Sequence, residues 1–190
     1  RIPIKIIRLQ QFPSTGKQFP LGRKLLQGDL HTFFLSLNFA ANKMRKAMGK
    51  AYTFCVHDES VNTYGFRMLT SGANLEEFKK NPVVLYNHND WETPIGRGEN
   101  VRVEDGRILV DVVFDEEDEK GRTIAGKVER DFLRMASIGT WPPEEISDDP
   151  ALKLPGQTGP TATRWTMREV SVCPIGSNHN ALAMYDRATN

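Results

Sequence analysis

Cysteine is scarce in this chain, and the spacings that give cysteine a chemical role are missing. Cys55 and Cys173 are the two among 190 residues. They lie far apart in unlike surroundings, and no C-x-x-C pair occurs. That argues against a disulfide framework and against a zinc-type cysteine site, and two isolated thiols suit a reducing compartment. Long apolar runs are also absent: none approaches the roughly 18 residues that a membrane span needs. Phe33 to Ala41 is mostly apolar, but Asp29 and His31 stand at its edge. Lys43, Arg45 and Lys46 follow it, which is the wrong flank for a secretory signal. There is no H-E-x-x-H, and His88, Asp90 and His179 have no recognised metal-ligand spacing, so neither a metal nor a cofactor is expected. The G-x-S-x-G elbow of one large hydrolase class is missing as well.

What is present begins with charge. Hydrophobic residues make up 39% and charged residues 26% of the chain, ordinary values for a domain that can bury a core. The net charge of +1 conceals an asymmetry, because residues 1–50 hold ten Lys or Arg against one acid, Asp29. That stretch is therefore about +9 and the remainder about −8, a composition break that places a boundary near residue 50. We expect a basic N-terminal extension over residues 1–50, poorly ordered or outside the core, followed by one domain over 51–190. The first residue is Arg, and Met44 and Met48 sit just before the break, so the domain proper is expected to start near Met44. A basic arm can bind nucleic acid or an acidic partner. The lack of interleaved aromatic and basic positions favours the plainer reading of a leader or upstream segment.

Beyond residue 50 the pattern becomes regular. Strands are expected at Ala51–His57, Tyr64–Leu69 and Val83–Tyr86, with a short helix capped by Asn74 running to Lys80 and stopped by Pro82. Ile95–Val103 and Arg107–Phe114 flank Glu104-Asp105-Gly106 as a hairpin. Asp115–Phe132 is the longest helix candidate, with Ile124, Val128 and Phe132 on one face and acids crowding its N-terminus. Gly121 and Gly126 weaken it by about 1 kcal/mol each. Strands follow at Leu133–Thr140, Arg164–Cys173 and Asn180–Tyr185. Between the first two, residues 142–160 hold five prolines and two glycines and read as a mobile loop. Short strands, two helices and no repeating β-α rhythm predict an α+β fold: a mostly antiparallel β-barrel or sandwich with a few flanking helices.

Three residues carry the chemistry. A hydroxyl nucleophile needs a base for its proton, and the base needs a third group to hold its ring. Ser137, His88 and Glu169 supply those types. Each has a plainer reading: His88 as a loop histidine between two asparagines, Ser137 as a small residue in a tight strand, Glu169 as a solvent-facing carboxylate. If Leu133–Gly139 is a strand, Met135, Ser137 and Gly139 share one face, and Ala136 and Ile138 anchor the other in the core. By the same alternation Glu169 shares a face with Ser171 and Cys173. The chain order His, Ser, Glu differs from the three common hydrolase orders, which argues against those folds.

Around these residues stand Gly72-Ala73-Asn74-Leu75-Glu76-Glu77-Phe78, Asn81-Pro82-Val83-Val84-Leu85-Tyr86-Asn87-His88, Pro94-Ile95-Gly96, Ala136-Ser137-Ile138-Gly139, and Glu169-Val170-Ser171 with Pro174 and Asn180-Ala181. In that series, with about fifty residues from His to Ser, the chain from Ala51 to Tyr185 resembles the prohead maturation proteases of tailed bacteriophages, distant relatives of the herpesvirus assembly protease. The resemblance implies a herpesvirus-protease-like fold and a serine endopeptidase with Ser137 as nucleophile and His88 as general base. The phage pattern implies Glu169 as third member; the herpesvirus relatives use a second histidine, which keeps His179 as an alternative. Cys173-Pro174-Ile175-Gly176-Ser177 departs from the family's usual Pro-Ala-Asn turn, and residues 1–50 have no counterpart. Oxyanion donors are sought near Gly139 or in Arg164–Arg168. The implied substrates are capsid precursor and scaffold proteins, and the protease itself, within proheads assembling in the host bacterial cytoplasm. The alternative is a catalytically inactive β-barrel that acts in scaffolding or capsid assembly.

Overall fold

A computed structural model describes residues 49–184 and, singly, Leu35. The chain divides into two units, Arg1–Asn42 and Lys43–Asn190. The expectations placed on the basic arm, and on the last strand at Tyr185, lie outside the described residues.

In chain order the second unit presents β1 (Ala51–His57), β2 (Arg67–Met68), β3 (Ala73–Asn74), α1 (Glu76–Lys80) and β4 (Val83–Tyr86). Then come β5 (Gly96–Glu104), β6 (Arg107–Phe114), α2 (Glu119–Glu129), β7 (Met135–Thr140), β8 (Glu145–Ser147) and β9 (Thr161–Cys173). The fold is α+β, a mixed sheet that curls in a barrel-like manner. Antiparallel pairs run β1–β6, β6–β5 and β5–β4. β9 pairs antiparallel with β7 and β8 but parallel with β2, β3 and β4. The parallel pairs enter because strands that precede β9 by long connections need not meet it as hairpins do.

Two features curl the sheet. β9 spans thirteen residues and lies between β4 and β7, which pair with overlapping stretches of it. The expected last strand contracts to bridges: Leu182 meets Met135 of β7 and Ala183 meets Phe54 of β1. Backbone bonds from Ala136 to Ala181 and from Cys55 to Leu182, 2.9 and 3.0 Å, reinforce both sides. This segment thus spans the gap between β7 and β1.

The core follows from alternation. Ile108, Val110 and Val112 of β6 are fully buried and pack with Phe54, Val84, Trp165 and Val170. Each such apolar side chain contributes about 1.5–3 kcal/mol on leaving water. The opposite β6 face, Leu109 and Val113, is buried too, as a strand covered on both sides requires. Trp165 keeps its indole N–H satisfied on the Leu69 carbonyl at 2.9 Å and meets the His57 ring edge-on at 5.1 Å. The β5–β6 turn has positive φ at both Asp105 (49°) and Gly106 (73°), the pairing a two-residue hairpin turn needs.

Four sequence expectations are corrected. The Tyr64–Leu69 strand shrinks to β2, because Asn62 folds the preceding residues into a turn, its Oδ1 accepting from Tyr64 and Phe66. Asn74 does accept from the Glu76 amide at 3.1 Å, but Leu75 occupies the cap position of α1. The long helix starts later: Asp115 accepts from the amides of Glu117 and Asp118 in a turn, and Asp118 caps α2 through Gly121 N–H at 2.8 Å. Gly121 is thus a close-approach residue more than a weak helix former, since a Cβ there would sit 2.1 Å from the Asp115 carbonyl oxygen. Finally, the stretch 142–160 is folded onto β9. It supplies β8 and a 3-10 turn at Pro150–Leu152, and Thr161 Oγ1 donates to the Leu152 carbonyl at 3.2 Å. No helix among the described residues is long and apolar enough to cross a membrane.

Candidate active site

β7 places Ser137 as its alternation predicts. Ala136 is fully buried in the core and Ile138 packs against it, so Ser137 and Gly139 turn to the other face. There they lie opposite Ser171 and Glu169 of β9 in the antiparallel register. Directly opposed residues on such a pair have Cβ atoms about 5 Å apart. The side chains of Ser137, Ser171 and Glu169 therefore share one small patch with the bare backbone of Gly139. Gly139 is needed at its position because a Cβ would lie 2.2 Å from Glu169 Oε1.

His88 reaches the same patch from the end of β4, which runs parallel to β9 on its other side. The chain turns sharply after Tyr86: Asn87 and His88 both have positive φ, 56° and 57°. Asn and His are among the few side chains that tolerate this region, and backbone held there clusters at functional sites. Two bonds hold the turn, from Asn87 N–H to the Val172 carbonyl at 3.0 Å and from His88 N–H to Ser171 Oγ at 2.9 Å.

The ring of His88 is fixed separately. Its Nδ1 lies 2.6 Å from Glu169 Oε1. The imidazole is 44% exposed while the Glu169 side chain is 11% exposed, so the carboxylate is nearly enclosed and the ring looks out into a cleft. The hydrogen bond from Glu169 raises the His88 pKa above 6.5, outweighing the opposing effect of burial. Ser171, wholly buried, donates its own proton to Glu169 Oε2 at 2.8 Å. Nearby, burial pushes the Cys173 thiol up to about 11, which keeps it protonated and inert.

The structure thus joins His88 to Glu169 and puts Ser137 on the strand face beside them. No hydrogen bond joins Ser137 Oγ to His88. His179, the alternative third member, is exposed in a turn, and it is Glu169 that occupies Nδ1. Among the described residues no three His, Cys, Asp or Glu side chains are grouped as metal ligands would be.

The cleft in front of His88 and Glu169 has a volume of about 440 Å³, and Val83, Leu85 and Gly139 are among the residues that line it. One wall carries Trp141 and Arg168, the guanidinium stacked 4.0 Å over the indole ring. The indole N–H donates to Glu77 at 2.8 Å, which ties α1 to the end of β7. Arg168 faces the cleft because the β7–β9 ladder skips it: Gly139 pairs with Glu169, but Thr140 pairs with Met167. Such a bulge re-aims a side chain that strict alternation would send to the opposite face. Ser171 and Trp141, and the placing of the Arg168 side chain in the cleft, were not foreseen from the sequence, although Arg168 lies in the stretch where oxyanion donors were sought. For Ser171 the i, i+2 relation to Glu169 was an available signal; for the other two there was none, since a bulge and a long-range stack leave no local mark. No known protein family, curated protein or solved structure matches the chain.

Proposed function

We propose that the protein is a serine endopeptidase of the prohead maturation type, with a herpesvirus-protease-like barrel, acting on capsid precursor and scaffold proteins and on itself. The observation that carries this reading is the 2.6 Å bond between His88 Nδ1 and Glu169 Oε1, made by residues 81 apart in sequence beside the strand face that bears Ser137. A carboxylate on Nδ1 assigns the proton to that nitrogen and leaves Nε2 as the acceptor.

Nε2 takes the Ser137 hydroxyl proton as Oγ attacks the peptide carbonyl, forming the C–O bond of a tetrahedral intermediate. His88, now imidazolium, is stabilised by Glu169. It returns the proton to the departing amine as the C–N bond breaks, leaving an acyl-enzyme ester. Water repeats the sequence with the same base, releasing the acid product and restoring Ser137. The shallow position of His88 suits an open cleft that accepts a polypeptide.

The second reading, a catalytically inert barrel, is favoured by one observation: Ser137 Oγ and His88 are not hydrogen-bonded. In ligand-free active sites this bond is often long and tightens on substrate binding. The test compares the wild type and Ser137→Ala, each co-expressed with the capsid precursor, by intact mass. Processed fragments and a covalent fluorophosphonate adduct are expected with the wild type alone. Unprocessed precursor and no adduct in both would leave the inert reading standing.

A further inference from the structure

The bonds around His88 close into a ring that the three-residue mechanism does not use. His88 N–H donates to Ser171 Oγ at 2.9 Å, Ser171 O–H donates to Glu169 Oε2 at 2.8 Å, and Glu169 Oε1 meets His88 Nδ1 at 2.6 Å. We infer that Ser171 is the positioning residue of the site, the hydroxyl that aims the Glu169 carboxylate at the His88 ring and at the same time fixes the His88 backbone. The inference rests on the protease reading for its effect on rate alone.

Three observations carry it. A serine hydroxyl has one proton and two lone pairs. Here the proton is committed to a carboxylate and a lone pair to a main-chain amide, so the hydroxyl has no rotational freedom left. The residue is wholly buried, where such bonds are strongest and water cannot replace them. Its amide partner belongs to a residue at φ 57°, a conformation that persists only where the surroundings hold it. Take the hydroxyl away and Oε2 loses its donor, while the His88 amide loses its acceptor. The carboxylate is then held by His88 alone, on a turn that has become looser. Two bonds that act through the same oxygen tie the base and its orienting acid to one point of β9.

A structural serine that merely fills space would not alter the ring of His88, and this gives the test. In Ser171→Ala, followed by NMR on the full-length protein, the His88 midpoint should fall from its raised position toward its ordinary value. Glu77, Asp90, Glu92 and Arg168, which also line the cleft, are unchanged in the variant and cancel in the comparison. Turnover should fall roughly ten- to a hundredfold with KM nearly constant, as expected when a reacting group is misplaced by a fraction of an ångström. In the wild type itself the His88 amide should exchange slowly with solvent despite its exposed side chain. In the variant it should exchange at least about tenfold faster. A His88 midpoint equal to that of the wild type, or a rapidly exchanging His88 amide in the wild type, overturns the inference. These readouts need no substrate. A protein that fails to cleave but passes them loses the protease reading and keeps Ser171 as the residue that orients the pair.

Discussion

The β5–β6 hairpin and the β7–β9 pair are both antiparallel, and both contain a register shift, yet they put it to opposite ends. In the hairpin the shift falls between Glu99 and Arg102. There Asn100, at φ 48°, and Arg102 both turn onto Asp111, at 2.9 and 3.0 Å, while Thr53 donates to the same carboxylate at 2.7 Å. The side chains that the shift displaces find their partner within the same sheet, near the surface. In the β7–β9 pair the shift turns Arg168 toward the cleft beside Glu169, and the polar groups Ser137, Ser171 and Glu169 are buried on the strand face whose Gly139 and Glu169 line that cleft. The difference teaches that a bulge is neutral in itself. Its consequence depends on whether the displaced side chain meets a partner in the same hairpin or an open surface shared by distant strands.

The largest break in that comparison comes from His88. Under the proposed endopeptidase reading, His88→Ala should reduce cleavage of the capsid precursor by about 10⁴-fold or more, as loss of a general base does. The melting temperature should stay within a few degrees of the wild type, since the side chain is partly exposed. Next come the glycines of the two regions. Gly139→Ala drives a methyl group into Glu169, and a carboxylate displaced by about 1 Å should lower turnover roughly 100-fold. A Cβ at Gly106 meets nothing within 4 Å, so Gly106→Ala should cost about 1–2 kcal/mol of stability for its positive φ and leave cleavage unchanged. Equal effects of the two substitutions on turnover would erase the distinction drawn here.

A smaller effect is expected from Asp111→Ala, which removes the acceptor shared by Thr53, Asn100 and Arg102. Chemical denaturation should show a loss of about 1–2 kcal/mol, discounted for partial exposure, with turnover intact. The smallest concerns pH and sharpens the contrast between the two histidines near β9. His88 is raised above its ordinary 6.5. Its bond to Glu169 therefore contributes stability below pH 6.5 and loses it as pH rises through the folded-state value. His57 is lowered, chiefly by burial. It contributes above 6.5 and the contribution is lost as pH falls toward its own depressed value. Glu169→Gln should remove the first limb and His57→Gln the second, in separate pH–stability curves. The same raised value places the acid limb of activity above pH 6.5, and Glu169→Gln should move it down.

What could be read in the sequence was what adjacent residues decide. Ala51–His57 and Val83–Tyr86 are strands over the expected bounds, because β-branched and aromatic runs between turn residues leave little choice. Asp105-Gly106 specified its turn. The facing of Ser137 away from the core followed from Ala136 and Ile138. The meeting of His88 with Glu169 was legible as chemistry and as a resemblance, but its geometry rests on β9 lying between β4 and β7, a non-local pairing. The folding of residues 142–160 onto β9 was illegible for a related reason. Prolines and glycines mark where a chain bends, but they say nothing of a distant strand against which the bends pack. The bridges at Leu182 and Ala183, too short for a periodic pattern, were read as a longer strand.

β7 takes its backbone partners from residues that come after it: 167–173 on one side, 181–183 on the other. During synthesis, His88 and Ser137 are therefore made before Glu169, Ser171 and the closing segment. A chain stalled at residue 160 holds His88 and Ser137 but neither Glu169 nor the strand that brings them together. Wired in this order, the patch has a built-in delay: it closes only in chains translated past residue 183.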